Sequence, residues 1–97
     1  MKIAKIDQFF PLKRTRLVNI TTDDGLVGWG ETTLEGKPKS VTAAVDELAE
    51  YLVGKDPLRI EHHWQHIYRS AFFSGGAILM TALSGIDQAL WDIAGKA

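Results

Sequence analysis

The run "LSGIDQALWDIAGKA", Leu83 to Ala97, constrains this chain more than any other stretch. Ile86, Ala89, Leu90 and Ile93 recur at helical spacing, and Leu83, Trp91 and Ala94 widen the apolar face until little of the circumference stays polar. From Ala77 onward only Thr81, Ser84, Asp87, Gln88 and Asp92 interrupt it. The spacing predicts a helix over 77–94 that is buried on most of its surface. Asp87, Gln88 and Asp92 make membrane insertion costly, so its cover must be protein.

The first third of the chain offers strands for that purpose. Ile3 to Phe10 reads as one, ended by Pro11 because proline removes a ladder donor. Arg16 to Thr22 alternates more cleanly, with Val18, Ile20 and Thr22 on one face and Leu17, Asn19 and Thr21 on the other. Asp24-Gly25 suits a tight hairpin turn, since glycine accepts positive φ and aspartate tolerates it. Leu26 to Glu31 returns as the third strand. Its Gly28 and Gly30 bracket Trp29, which points to close backbone approach or a bulge rather than to a phosphate-binding loop, because no further glycine or helix start follows.

Helical punctuation governs the rest. Ser40 reads as the N-cap of a helix whose apolar face runs Val41, Ala44, Val45, Leu48, Leu52, and Gly54 stops it. Asp56-Pro57 opens a second helix, with Ile60, Trp64, Ile67, Tyr68 and Ala71 as the buried stripe. Gly75-Gly76 separates it from the last. The expected fold is α+β: a three-stranded antiparallel meander followed by three helices, without internal repeats.

With 97 residues, 45% of them hydrophobic, the chain suffices for one small core. A net charge of −1 with mixed signs gives no reason to expect nucleic acid or an anionic membrane as partner. The absence of cysteine rules out a disulfide framework and suits a reducing compartment. No uninterrupted apolar segment follows Met1-Lys2, so the expected location is cytoplasmic.

Chemistry is sparse. His62 and His66 lie four apart and share a helix face, but no zinc-protease glutamate or third ligand accompanies them, and they point away from the Ile60, Trp64, Ile67 stripe. Asp23 and Asp24 serve the turn, and Asp46, Glu47 and Glu50 read as a solvated helix face. No catalytic residue and no metal ligand set is expected in this chain. Two polar loops stand out: "FFPLKRTRL", carrying Lys13, Arg14 and Arg16, and "ETTLEGKPKS", carrying Glu35, Lys37 and Lys39. Both readings stay open for them, a solvated connection or a polar lid over a ligand.

The segments "TDDGLVGWGE" (22–31), "LEGKPKSV" (34–41), "GKDP" (54–57) and "GGAILMTALSGIDQALWDIAGKA" (75–97), in that order, resemble the N-terminal capping domain of the enolase superfamily, mandelate racemase and muconate lactonising branch. Within it the acid-sugar dehydratases of the galactonate type are the nearest match. The resemblance covers nearly all of residues 1–97 and implies a TIM barrel following in cis, partly covering the last helix. It implies Mg2+ held by barrel carboxylates, Lys or His bases that remove the proton beside a carboxylate, a small sugar acid as substrate and a homo-oligomer. None of that machinery falls in this chain, which itself is expected to bind no cofactor. What the resemblance assigns to residues 1–97 is a lid, with Lys13 and Arg14 in the first loop and Glu35 and Lys37 in the second touching the distal end of the substrate. Other superfamily reactions, racemisation or cycloisomerisation, and a non-catalytic interaction module are the alternatives.

Overall fold

The computed structural model describes residues 1–12, 15–34, 38–71 and 76–97. Strands β1 (Ile3–Leu12), β2 (Thr15–Thr22) and β3 (Val27–Glu31) form an antiparallel sheet in the order β1-β2-β3, followed by helices α1 (Pro38–Leu52), α2 (Ile60–Ala71) and α3 (Gly76–Lys96). The expected α+β meander with three helices is what forms.

Alternation places Val18 and Ile20, both fully buried, on the inner face of β2, where Gly30 and Gly28 are their cross-strand partners. Helix α3 lies on that face. A Cβ at Gly30 would overlap the carbonyl oxygen of Gly85, one at Gly28 that of Ala89, and one at Gly85 the Thr32 side chain. The two glycines of β3 therefore bring the strand backbone against the helix backbone, the close approach that their spacing suggested. Leu83, Ile86, Ala89, Leu90 and Ile93 are at most 2% exposed within this fold. Their cover comes from β2, β3, α1 and α2 together. What α3 leaves outside is narrower than its apolar circumference suggests, chiefly Trp91 and Met80.

The polar residues of α3 also acquire a purpose. β3 is an edge strand, and its outer backbone groups need partners. Gln88 Oε1 accepts the Glu31 N–H at 3.0 Å, Asp92 Oδ2 accepts the Trp29 N–H at 2.9 Å, and Lys96 Nζ donates to the Val27 carbonyl at 2.7 Å. Spaced four apart, these three side chains form one row that closes the sheet edge. The Trp29 amide, and after it the Lys96 ammonium 3.1 Å away, hold the Asp92 carboxyl below the ordinary carboxylate value.

Most boundaries shift from the sequence reading, β2, β3 and α3 by only one or two residues at an end, and four of the differences have a physical reason. β1 continues past Pro11 to Leu12 across a one-residue register shift after Phe9, because on an edge strand the missing N–H breaks no interior ladder. The hairpin loop is wider than a two-residue turn: Thr22 and Leu26 close it, and Gly25 alone takes positive φ, at 93°. α1 starts at Pro38, not after Ser40, since proline fits a first helical turn where no N–H is needed. Asp56 accepts the Leu58 N–H at 2.9 Å in a turn, and α2 begins only at Ile60. Beyond α1, Gly54 at φ 89° donates to the Ile3 carbonyl at 2.8 Å, and Ile3 N–H donates to Lys55 at 2.8 Å, tying the first strand to the helical layer.

Two outcomes are expected. Gly30→Ala should cost about 2–4 kcal/mol in urea unfolding, because backbone opposes the new methyl, whereas Gly95→Ala, with open space around its Cβ, should cost nothing and gain up to about 1 kcal/mol. Equal effects would dismiss the close approach. Asp92 stabilises through its ionised form, so its contribution is present above the unfolded value and is lost as pH falls through the lowered folded one. In NMR titration the Trp29 amide shift should therefore move with a midpoint below the reference aspartate value of about 3.9; a midpoint above it contradicts the bond.

Candidate substrate-capping site

The meander sends both polar loops out of one end of the sheet. β2 begins where β1 turns back, and Leu17 of β2 pairs with Glu31, the last residue of β3. Two hydrogen bonds then join the loop bases directly: Thr32 N–H donates to the Arg16 carbonyl at 3.0 Å, and Arg16 N–H donates to Thr33 Oγ1 at 3.0 Å. Arg16 spends its guanidinium locally, 4.5 Å from the centre of the Phe10 ring and 3.3 Å from the Thr15 carbonyl. The four predicted capping residues, Lys13, Arg14, Glu35 and Lys37, lie outside the described residues. What the structure brings together are the segments that carry them, and the device that does so, Thr33, gave no signal in the sequence.

An open recess of about 590 Å³ runs beside the second loop base, lined by Glu31, Thr33, Met80, Thr81, Ser84 and Gln88. Much of its polar lining is already engaged: Thr33 with Arg16, Thr81 with the Ala77 carbonyl at 2.8 Å, Gln88 with Glu31. Among the described residues two buried oxygens have no hydrogen-bond partner, Thr32 Oγ1 just after β3 and Asn19 Oδ1 on the opposite sheet face between Asp7 and Trp29.

The histidines separate by role. His63 is 2% exposed, with Nε2 2.7 Å from the Asp56 carbonyl and Nδ1 3.1 Å from the Tyr51 hydroxyl. A carbonyl only accepts, so Nε2 carries the proton and Tyr51 donates to Nδ1. This ring is a strut between α1, α2 and the turn before α2. His62 and His66 are exposed, and His66 stacks on Tyr51 with centroids 4.3 Å apart. The nearby Arg59 charge lowers the His62 pKa, followed by desolvation and the other two imidazoles. Among the described residues no group of three or more His, Asp or Glu side chains converges on a point, so the magnesium ion that the resemblance implies has no ligand set among them. Also among them, no helix is long and apolar enough to cross a membrane.

Residues 12–97 match the mandelate racemase / muconate lactonizing enzyme N-terminal domain. The chain belongs to that family. D-Galactonate dehydratase of Xanthomonas axonopodis pv. citri is 55% identical over 97 residues, 100% of this chain and 25% of that protein. The D-galactonate dehydratase of Pectobacterium atrosepticum is likewise 55% identical across 100% of this chain and 25% of its own length. Among solved structures, an enolase from Pantoea ananatis with bound D-gluconate and Mg has a TM-score of 0.90 at 40% identity, over 98% of this chain and 24% of that one. The 3,6-anhydro-D-galactonate cycloisomerase of Zobellia galactanivorans has a TM-score of 0.86 at 36% identity, over 99% and 29%. This mandelate racemase / muconate lactonizing enzyme N-terminal domain thus spans about a quarter of the length of the curated relatives it matches.

If the Arg16–Thr33 bond is what couples the loops of this domain, Thr33→Val should lower stability by about 0.5–1.5 kcal/mol and speed exchange of the Arg16 amide. Native-state hydrogen exchange checks it: an unchanged Arg16 rate would uncouple the two loops.

Proposed function

We propose that this chain is the N-terminal, substrate-capping portion of an acid-sugar dehydratase of the galactonate type. The observation that carries the reading is 55% identity along all 97 residues to proteins named D-galactonate dehydratase, against 36% to the cycloisomerase. The union of the two loop bases through Arg16, Thr32 and Thr33 supports it, because a lid built from two segments acts as one only if the segments are tied. On this reading residues 1–97 form one capping domain whose last residues lead toward a barrel in cis. The same resemblance carries a cytoplasmic homo-oligomer that uses Mg2+ bound outside this portion.

The reaction removes the proton beside the carboxylate and the hydroxyl on the next carbon, and the enol left behind tautomerises to a 2-oxo-3-deoxy acid. Proton abstraction and metal binding belong to the remainder of the enzyme. The part assigned to this chain is recognition: Lys13 and Arg14 from the first loop and Glu35 and Lys37 from the second contact the distal hydroxyls and exclude water. A carboxylate that accepts a substrate hydroxyl discriminates strongly, since a wrong substrate leaves a desolvated charge unpaired.

In the complete enzyme, formation of the 2-oxo acid from D-galactonate is the primary test; turnover of other sugar acids without D-galactonate would displace the substrate assignment. Glu35→Ala should lower kcat/KM by about ten- to a thousandfold while stability holds within about 0.5 kcal/mol. Unchanged kcat/KM removes Glu35 from the lid, and a large melting shift makes it structural. The 97-residue chain by itself should show no micromolar Mg2+ binding in calorimetry, because hard cations need several converging oxygens.

A further inference from the structure

Between α2 and α3, away from the capping loops, lies a recess of about 220 Å³ lined by Ile60, Glu61, Trp64, Gln65, Asp87 and Trp91. Its composition is unusual for a surface notch: two indoles, two carboxylates and one carboxamide. Trp91 is 57% exposed, the most exposed large hydrophobic side chain among the described residues. Trp64 stacks on Tyr68 with centroids 4.8 Å apart and rings 10° from parallel, which fixes its indole and leaves it part of the recess wall. Asp87 makes no hydrogen bond or ion pair among the described residues, in contrast to Gln88 and Asp92 beside it, which cap β3. Partial burial raises the Asp87 carboxyl above the ordinary value, because desolvation disfavours its charged form, and a cation brought beside it would favour that form again.

We propose that this notch is a receptor for the guanidinium of an arginine side chain presented by the remaining portion of the complete enzyme. An indole face attracts a cation, and a carboxylate at the edge of that face supplies the acceptor for its N–H groups. Guanidinium satisfies both demands at once, because it is planar and weakly hydrated on its faces yet donates in its plane, whereas an ammonium is a compact, strongly hydrated point charge. Charge complementarity fixes the sign of the occupant, with Glu61 and Asp87 on facing helices and no lysine or arginine among the described residues of the lining. The source follows from the proposed function, on which this inference rests: relatives are about four times as long as this chain, and on that reading a much larger body is joined to the domain and available to cover the notch.

The test uses the 97-residue chain in an NMR titration that follows its three indole N–H resonances. N-acetyl-arginine methylamide should shift Trp64 and Trp91 saturably and leave Trp29, on the far side of the sheet, in place. Asp87→Asn should weaken the response about three- to tenfold, and N-acetyl-lysine methylamide should bind more weakly than the arginine probe. Uniform shifts of all three indoles, shifts reproduced by sodium chloride at equal ionic strength, or an undiminished response in Asp87→Asn would overturn the receptor. Equal binding of the lysine probe would overturn the choice of guanidinium. A second arm fixes the source: in the complete enzyme Trp91 should be shielded from acrylamide and no longer respond to the probe, and a Trp91 as quenchable and titratable as in the isolated chain would exclude the remainder of the enzyme as donor. Neither arm reads catalysis, so failure on D-galactonate and failure of the notch are told apart.

Discussion

The contact between the β3 backbone and the α3 backbone is the constraint on which the rest of this domain depends. Gly28 and Gly30 remove the side chains that would hold sheet and helix apart, Gly85 does the same on the helix, and the Gly28 backbone lies against the Ala89 carbonyl. At that separation the side chains of Gln88, Asp92 and Lys96 hydrogen-bond to the strand edge. Small residues thus permit the approach, and polar ones fix its register along the helix. The closing of the edge also removes a template for strand pairing with another chain.

From that contact the geometry of the candidate lid follows. α3 holds β3 in place, β3 pairs with β2, and β2 carries Arg16 at the point where both loops leave the sheet. The loop segments assigned to substrate capping therefore depart from one rigid corner, not from two independently mobile ends. Thr32, buried against Gly85, continues the same contact one residue beyond the strand. A lid whose bases are anchored in the core can be re-lettered at its tips for different sugar acids while the fold stays the same, as relatives acting on different compounds suggest.

The far side of α3 behaves differently. There Trp91 stays exposed, and partial burial disfavours the charged form of the Asp87 carboxyl. His63, by contrast, shows what a satisfied polar group looks like in this domain: one ring ties Tyr51 on α1 to Asp56 in the turn before α2. One is a strut, and the other is the notch proposed above to receive a guanidinium.

Much of the architecture was legible in the sequence because it is periodic or local. Alternation put Val18, Ile20 and Thr22 on one face, which is the buried one, the 3.6-residue rhythm identified Val41, Val45, Leu48, Leu52 and the apolar length of α3, and the glycine pair around Trp29 signalled close approach or a bulge, of which close approach is what forms. Helix starts were less legible, since Asp56 and Ser40 cap equally well in a turn or in a helix and only packing chooses. What tertiary structure alone decided was the destination of the polar groups. Gln88 and Asp92 read only as breaks in a buried helix and Lys96 carried no reading, yet the three are edge partners of residues 57, 63 and 69 positions away in the chain. Hydrophobic periodicity records which face of an element turns inward, but a hydrogen bond across such a separation leaves no periodic trace, because it depends on where two elements are brought together and not on what either repeats.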